Sequence, residues 1–234
     1  MPRSRDPERL LAIVDAATEV FAQVGFASAQ MVDVARVAGV SVGTIYNYVE
    51  GKGALLLLCA ERPFADIAEG RALPVRAPER AELLDRLEAT LARHVRVESL
   101  ERALEGDIRP GAVDARLREI VGELFDLLAA TRVAADAMER SARDAPDLAE
   151  LFYRRVRVGI LDQLEEYLRR VDGARPLPAP VTPEIAARSV LEVVTWWARH
   201  RHRDPAPPRV NDARAREVAI VLVIGSLVTA TGDQ

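Results

Sequence analysis

Apolar residues recur at steps of three and four along most of this chain, and prolines and glycines punctuate them. Leu10, Val14, Ala17, Phe21 and Val24 make one such series, and that period puts its members on one face of an α-helix. No run alternates apolar and polar residues between hairpin-type turns, so strands are not expected. No internal repeat is found. The pattern predicts an all-α fold of about nine helices.

Local signals set the expected boundaries. Asp6 is a candidate N-cap before Pro7, and Gly25 is a natural stop, giving a first helix near 7–24. A short segment, 31–38, is closed by Gly39; a second, 42–48, is opened by Ser41. A fourth helix is expected from Gly51 through the apolar block 54–60 to Gly70. Longer helices are expected over 79–104, 112–143 and 146–171. Residues 173–183 hold four prolines and read as a loop. Thr182 then caps a helix over 183–200, and a breaker at 204–208 precedes a last helix over 212–229.

With 49% hydrophobic residues among 234, the chain has enough apolar mass for a sizeable core. Net charge is −4, and residues 1–53 carry five basic against six acidic side chains. Any nucleic-acid reading must therefore rest on local placement of charge. Cys59, the only cysteine, excludes an internal disulfide and a multi-cysteine metal site. Lys52 is the only lysine. The apolar stretch 218–230 is too short to span a bilayer, so no membrane partner and a cytoplasmic setting are expected.

Residues 26–52 carry the most specific signal. Helix, short turn with glycine, then helix is the helix-turn-helix layout. Ala35 and Ala38 are small enough for close crossing, Gly39 supplies the left-handed turn residue, and Val34, Val40 and Ile45 are expected to face inward. The second helix then offers Val42, Gly43, Thr44, Tyr46, Asn47 and Tyr48 outward. Hydroxyl and amide groups suit base edges and phosphates, and Gly43 lets backbone approach DNA. Lys52 opens the next helix, where free N–H groups attract phosphate.

The pieces Gly25-Phe26, Val32-Asp33-Val34-Ala35, Ala38-Gly39-Val40-Ser41-Val42-Gly43-Thr44-Ile45-Tyr46, Tyr48, Lys52 and Leu55 resemble the TetR family of bacterial regulators. The resemblance covers about residues 8–58. It implies that Ser41 caps the recognition helix and that Val42, Gly43, Thr44, Tyr46 and Tyr48 meet DNA with Asn47 nearby. It also implies a phosphate at Lys52, and places Gln30, Met31 and Val32 against the DNA backbone. Ala29 and Gln30 stand where the family usually has Ser or Thr, Val49 where it has Phe, and Gly51 and Gly53 where it caps and acidifies the fourth helix.

The resemblance further implies a DNA-binding domain at 1–50 and a helical ligand-binding and dimerisation domain at 51–234. Two copies, joined through helices near 183–200 and 212–229, would bind a palindromic operator, usually as a repressor. The body is rich in Ala, Leu and Val with scattered arginines, so a mainly apolar small molecule that can carry one anionic group is the expected effector, and Phe125, Met138, Phe152 and Trp196 are candidate lining residues. Trp196 and Trp197 are adjacent and point to different sides of one helix. His200 and His202 lie two apart among arginines and so do not share a face for a metal. His94 reads as a satisfied polar residue and Cys59 as a buried small hydrophobe. No nucleophile elbow, phosphate-binding loop or zinc motif is present, so no catalysis, metal or cofactor is expected. The alternative is an all-helical small-molecule-binding or enzymatic protein with a vestigial helix-turn-helix, motivated by the acidic head.

Overall fold

The computed structural model describes residues 6–227. In chain order the helices are α1 (Pro7–Ser28), α2 (Met31–Ala38), α3 (Val42–Tyr46), α4 (Lys52–Glu61), α5 (Arg80–His94) and α6 (Glu98–Glu105). They continue as α7 (Val113–Ala130), α8 (Arg132–Ala142), α9 (Pro146–Ala149), α10 (Gly159–Ala174), α11 (Pro183–Ala198) and α12 (Asp212–Leu227). Among the described residues no strand forms; one isolated bridge pairs Val49 with Val75. The all-α expectation holds, with more segments than the nine expected.

The chain forms two compact units. One comprises Met1–Val95 and Val133–Val156, the other Arg96–Arg132 and Arg157–Gln234. The first unit is built on α1 and α4. Leu10, Ile13, Val14, Ala17 and Phe21 of α1 are buried, as are all seven residues from Ala54 to Ala60 of α4. A helix apolar on every side is one that must be enclosed, which is how α4 sits. Cys59 lies in that core; burial pushes its thiol up to about 12. By length and composition α1 is apolar enough to cross a bilayer, which the sequence reading assigned to no segment. Here its apolar face is core. In the second unit α7, α10, α11 and α12 pack on one another, burying Phe125, Leu164, Tyr167, Val190, Val194 and Ile220.

Three expected helices are divided. The stretch 79–104 breaks where Val95 and Val97 leave helical geometry, at φ/ψ of −92/73 and −115/89. Glu123 of α7 caps the new N-terminus: its carboxylate accepts the N–H groups of Glu98 (2.6 Å) and Ser99 (2.8 Å). The stretch 112–143 divides at Thr131, whose hydroxyl donates to the Leu127 carbonyl at 2.8 Å. Between α9 and α10 the backbone runs as a π-helix over Glu150–Val158. The fourth helix stops at Glu61 rather than near Gly70. Position 228 and beyond of the expected last helix lies outside the described residues.

Candidate nucleic-acid interface

The N-terminal caps are those the sequence signals. Asp6 accepts the Glu8 N–H at 3.0 Å, opening α1. Helical geometry is interrupted at Gly25, with φ +81° and ψ 162°, so the 22-residue span contains a kink where a stop was expected. A Cβ there would also stand 3.3 Å from the Arg140 carbonyl oxygen. Gly39 ends α2 at φ +64°, and the Val40 N–H returns to the Ala35 carbonyl at 3.0 Å. This is how a left-handed residue satisfies the last carbonyls of a helix. Ser41 then opens α3, its hydroxyl accepting the Thr44 N–H at 3.1 Å and meeting the Thr44 hydroxyl at 2.8 Å. Gln30 makes no side-chain cap for α2, as its residue type implied.

Val34 and Ile45 are buried, and Val40 is half-buried, so the α2–α3 pair is held from inside. The outer face carries Gln30, Val32, Ser41, Gly43, Tyr46 and Asn47, all exposed. Tyr46 is 48% and Val32 55% exposed. A Cβ on Gly43 would touch only the Ser41 hydroxyl, at 3.8 Å, so the space over that position is open. Met31, Val42 and Thr44 are half-buried at the rim of the same face.

Two expected positions are corrected. Tyr48 is only 6% exposed and does not join the outer face. It follows Ile45 by three residues, and Val49 follows by four, so all three share the inner side of the turn. The segment is then held from a distance: Val75 donates to the Tyr48 carbonyl (2.8 Å) and Glu50 to the Val75 carbonyl (2.9 Å). Val49 is fully buried there.

Lys52 is the second. Its ammonium donates to the carbonyls of Phe26 (2.9 Å), Ala27 (3.1 Å) and Ala29 (2.9 Å). An ammonium has three donors, and all three are committed to this turn, leaving none for phosphate. Desolvation lowers its pKa from the ordinary lysine value. The Phe26 ring lies between two cations, Lys52 Nζ at 5.0 Å and the Arg80 guanidinium at 5.6 Å from its centroid. Ser141 of α8 accepts the Phe26 N–H at 2.9 Å and donates to the Ala137 carbonyl at 2.6 Å. Arg80 is in turn held by Asp147, at 2.7 Å through Nε. Lys52, Phe26, Arg80 and Ser141 thus anchor the turn from which α2 departs. Phe26 and Lys52 stand out in the sequence; no local pattern points to Arg80 or Ser141.

Residues 13–59 match the family model for bacterial regulatory proteins of the tetR family. The match spans α1 to α4 and contains the whole α2–α3 pair. No curated protein sequence matches the chain. Among solved structures, the fold is similar to the TetR-family regulator PfmR from Thermus thermophilus, with 18% identity, 91% of this chain and 97% of that one covered, and a TM-score of 0.53. A TetR-like regulator from Rhodococcus sp. RHA1 gives 17% identity, 94% and 96% coverage and a TM-score of 0.52. The SmeT–triclosan complex gives 21%, 96%, 93% and 0.52. At these identities the likeness is one of fold, and it extends over the helices that follow residues 13–59.

The four candidate lining residues are not gathered at one cavity. Met138 and Phe152 lie in the buried core of the first unit, and Phe125 in that of the second. Trp196 packs edge-on against Trp197 at 5.0 Å, and both line a shallow surface cavity of about 390 Å³ with Val193 and Leu222. His94 stacks on Phe64 at 4.7 Å. His202 Nε2 lies 3.3 Å from Asp212, which also accepts Arg132 at 2.6 Å and the buried Arg201. Arg199 and Arg201 of this cluster are buried, at 6% and 4% exposed. Among the described residues no group of three or more His, Cys, Asp or Glu is arranged to hold a metal ion.

Proposed function

We propose that this chain is a ligand-responsive, DNA-binding transcription regulator that represses from a palindromic operator as a cytoplasmic homodimer. The observation that carries the reading is the outer face of α2 and α3. A capped five-residue helix, fixed from inside by Ile45, holds Gly43, Tyr46 and Asn47 clear of the protein. Val42, Thr44 and Ser41 flank them, and Gln30, Met31 and Val32 at the start of α2 would meet the phosphate backbone in this reading. Residues 1–50 act as the DNA-binding part and 51–234 as the effector and dimer part in this reading, although the compact units divide elsewhere.

The dimer is supported by what α11 and α12 leave uncovered. α12 buries Ala215, Ala219, Ile220, Val223 and Leu227, yet leaves Val221 60% and Leu222 48% exposed. Ile185 of α11 is 52% exposed, and Trp196 and Trp197 are half-buried beside Leu222. Apolar side chains on both sides of a helix imply a second covering surface. Triclosan bound to SmeT supports a small-molecule effector for a chain of this fold. To act, that molecule must bind one spacing of the two heads more tightly than the other.

Footprinting on DNA selected from a random pool tests the reading. The expected result is two half-sites with centres about 34–36 Å apart. A single protected half-site, or none, rejects the dimeric regulator.

A further inference from the structure

The second unit holds a cavity of about 320 Å³ between the end of α6, the segment that follows it and the start of α7, closed by Tyr167 of α10. Its walls are cationic. Arg102, Arg109 and Arg116 face it, against the exposed Asp107. Arg102 reaches Glu119 at 3.0 Å and Glu98 at 3.7 Å, and Arg116 reaches Glu119 at 2.9 Å. Arg109 has no carboxylate partner among the described residues. Ala103, Ile108, Ala112 and Val113 supply an apolar lining between these groups.

Tyr167 is the independent observation. The residue is 1% exposed, yet its hydroxyl has no hydrogen-bond partner among the described residues. The hydroxyl borders the cavity rather than being sealed in the core, so its proton can meet an acceptor that enters there. Burial raises this phenol to about 12 even though Arg116 and Arg175 pull it down, so it remains a proton donor at neutral pH. Arg175 is itself neutralised by Asp114 at 2.8 Å.

Two further cavities lack this character. One, between α10 and α11, is lined by Asp162, Glu165 and Glu184 with a single Arg188. The other is the tryptophan surface already assigned to dimerisation. Unpaired donors facing a half-open cavity suit an acceptor-only group, and an anion with several oxygens supplies it. The volume is near the lower end of the roughly 300–1,000 Å³ of small-molecule sites, which favours a compact body.

We propose that this cavity is the anion-binding part of the effector site, in which Arg109, Arg116 and the Tyr167 hydroxyl receive the carboxylate or phosphate of a compact organic anion. The inference rests on the reading of this chain as effector-responsive. It assigns the expected single anionic group to named residues and moves the site away from Phe125, Met138 and Phe152.

Calorimetric titration of the full chain with benzoate, hexanoate and phenyl phosphate tests it, with benzamide and benzylamine as neutral and cationic counterparts. At least one anion is expected to bind with a Kd below about 1 mM, and neither counterpart should bind. Tyr167→Phe and Arg109→Ala should each weaken that binding about tenfold, the loss typical of one charge-assisted hydrogen bond. Glu165→Gln, at the neighbouring cavity, should leave it unchanged. Binding by phenyl phosphate alone assigns a phosphate ester; binding by the carboxylates alone assigns an organic acid. Absence of binding by all three anions, equal binding of benzamide, or anion binding that survives both substitutions overturns the proposal. A gel shift on selected operator DNA, run on the same samples without ligand, separates the two readings. Intact operator binding without anion binding rejects this inference alone, and the reverse rejects the regulator alone.

Discussion

Three carbonyls converge on one ammonium at Lys52, and this changes what the residue is expected to do. A phosphate-binding lysine contributes about one unit to the salt dependence of DNA affinity. A lysine that staples the turn between α1 and α2 contributes instead to the placement of α2 and to stability. Lys52→Met keeps the aliphatic stem and removes the donors. It should cost about 1–3 kcal/mol, discounted for partial exposure from the usual value of hydrogen bonds to a charged group. Operator affinity should fall for every sequence while the slope against log salt stays unchanged. Thermal melts and binding isotherms at several salt concentrations check both parts; a slope smaller by about one unit would restore the phosphate role. Tyr46 is the opposite case. Its side chain is 48% exposed, so Tyr46→Ala should change the melt little and weaken operator binding about tenfold, read by the same isotherms.

At the scale of the element, α4 and α6 show how helix ends are decided. α4 starts without a side-chain cap: Gly51 is extended at φ 173°, a conformation any residue adopts, and Gly53 lies in the first turn. A Cβ on Gly53 would meet Pro78 oxygen at 3.6 Å and a Leu83 methyl at 3.8 Å, ordinary contact distances. Gly53→Ala should therefore stabilise the chain by up to ~1 kcal/mol, since glycine costs that much inside a helix. A rise in the thermal midpoint of a few degrees checks it, and a fall would mean that the backbone near Pro78 cannot accept the methyl. α6 has the cap that α4 lacks, but it comes from Glu123, a residue of α7.

For the whole molecule, the uncovered side of α12 ties assembly to DNA recognition. Val221 is exposed in the single chain, so an aspartate there should leave the protomer folded. Covered by a second copy, the same charge would be buried without a partner, at a cost of several kcal/mol. Val221→Asp, or Ile224→Asp beside it, should give a folded monomer that no longer binds a two-half-site operator. Sedimentation at micromolar concentration, with circular dichroism, decides it; a wild-type chain already monomeric would overturn the dimer.

What the sequence determined by itself was local. Asp6, Gly39, Ser41 and Thr182 act within four residues of where they stand, so the helix ends they flank were legible from side-chain chemistry and period alone, whereas the kink at Gly25 was read as a stop. The same range of interaction made the α2–α3 pair and most of its outer face readable. The i, i+3 relation of Ile45 and Tyr48 was readable too, although the outward assignment of Tyr48 overlooked it. Tertiary structure decided everything that depends on a distant partner. The break at Val95–Val97 has no proline or glycine and exists because Glu123 caps the helix after it. Lys52 is held by the carbonyls of Phe26, Ala27 and Ala29, which stand some 25 positions back in the chain. The cationic cavity joins Arg102, Arg109 and Arg116 to Tyr167, more than fifty residues away. Caps and turns are satisfied by neighbours in the chain, whereas burial and convergent donors depend on which helices pack together, and a local pattern carries no record of that.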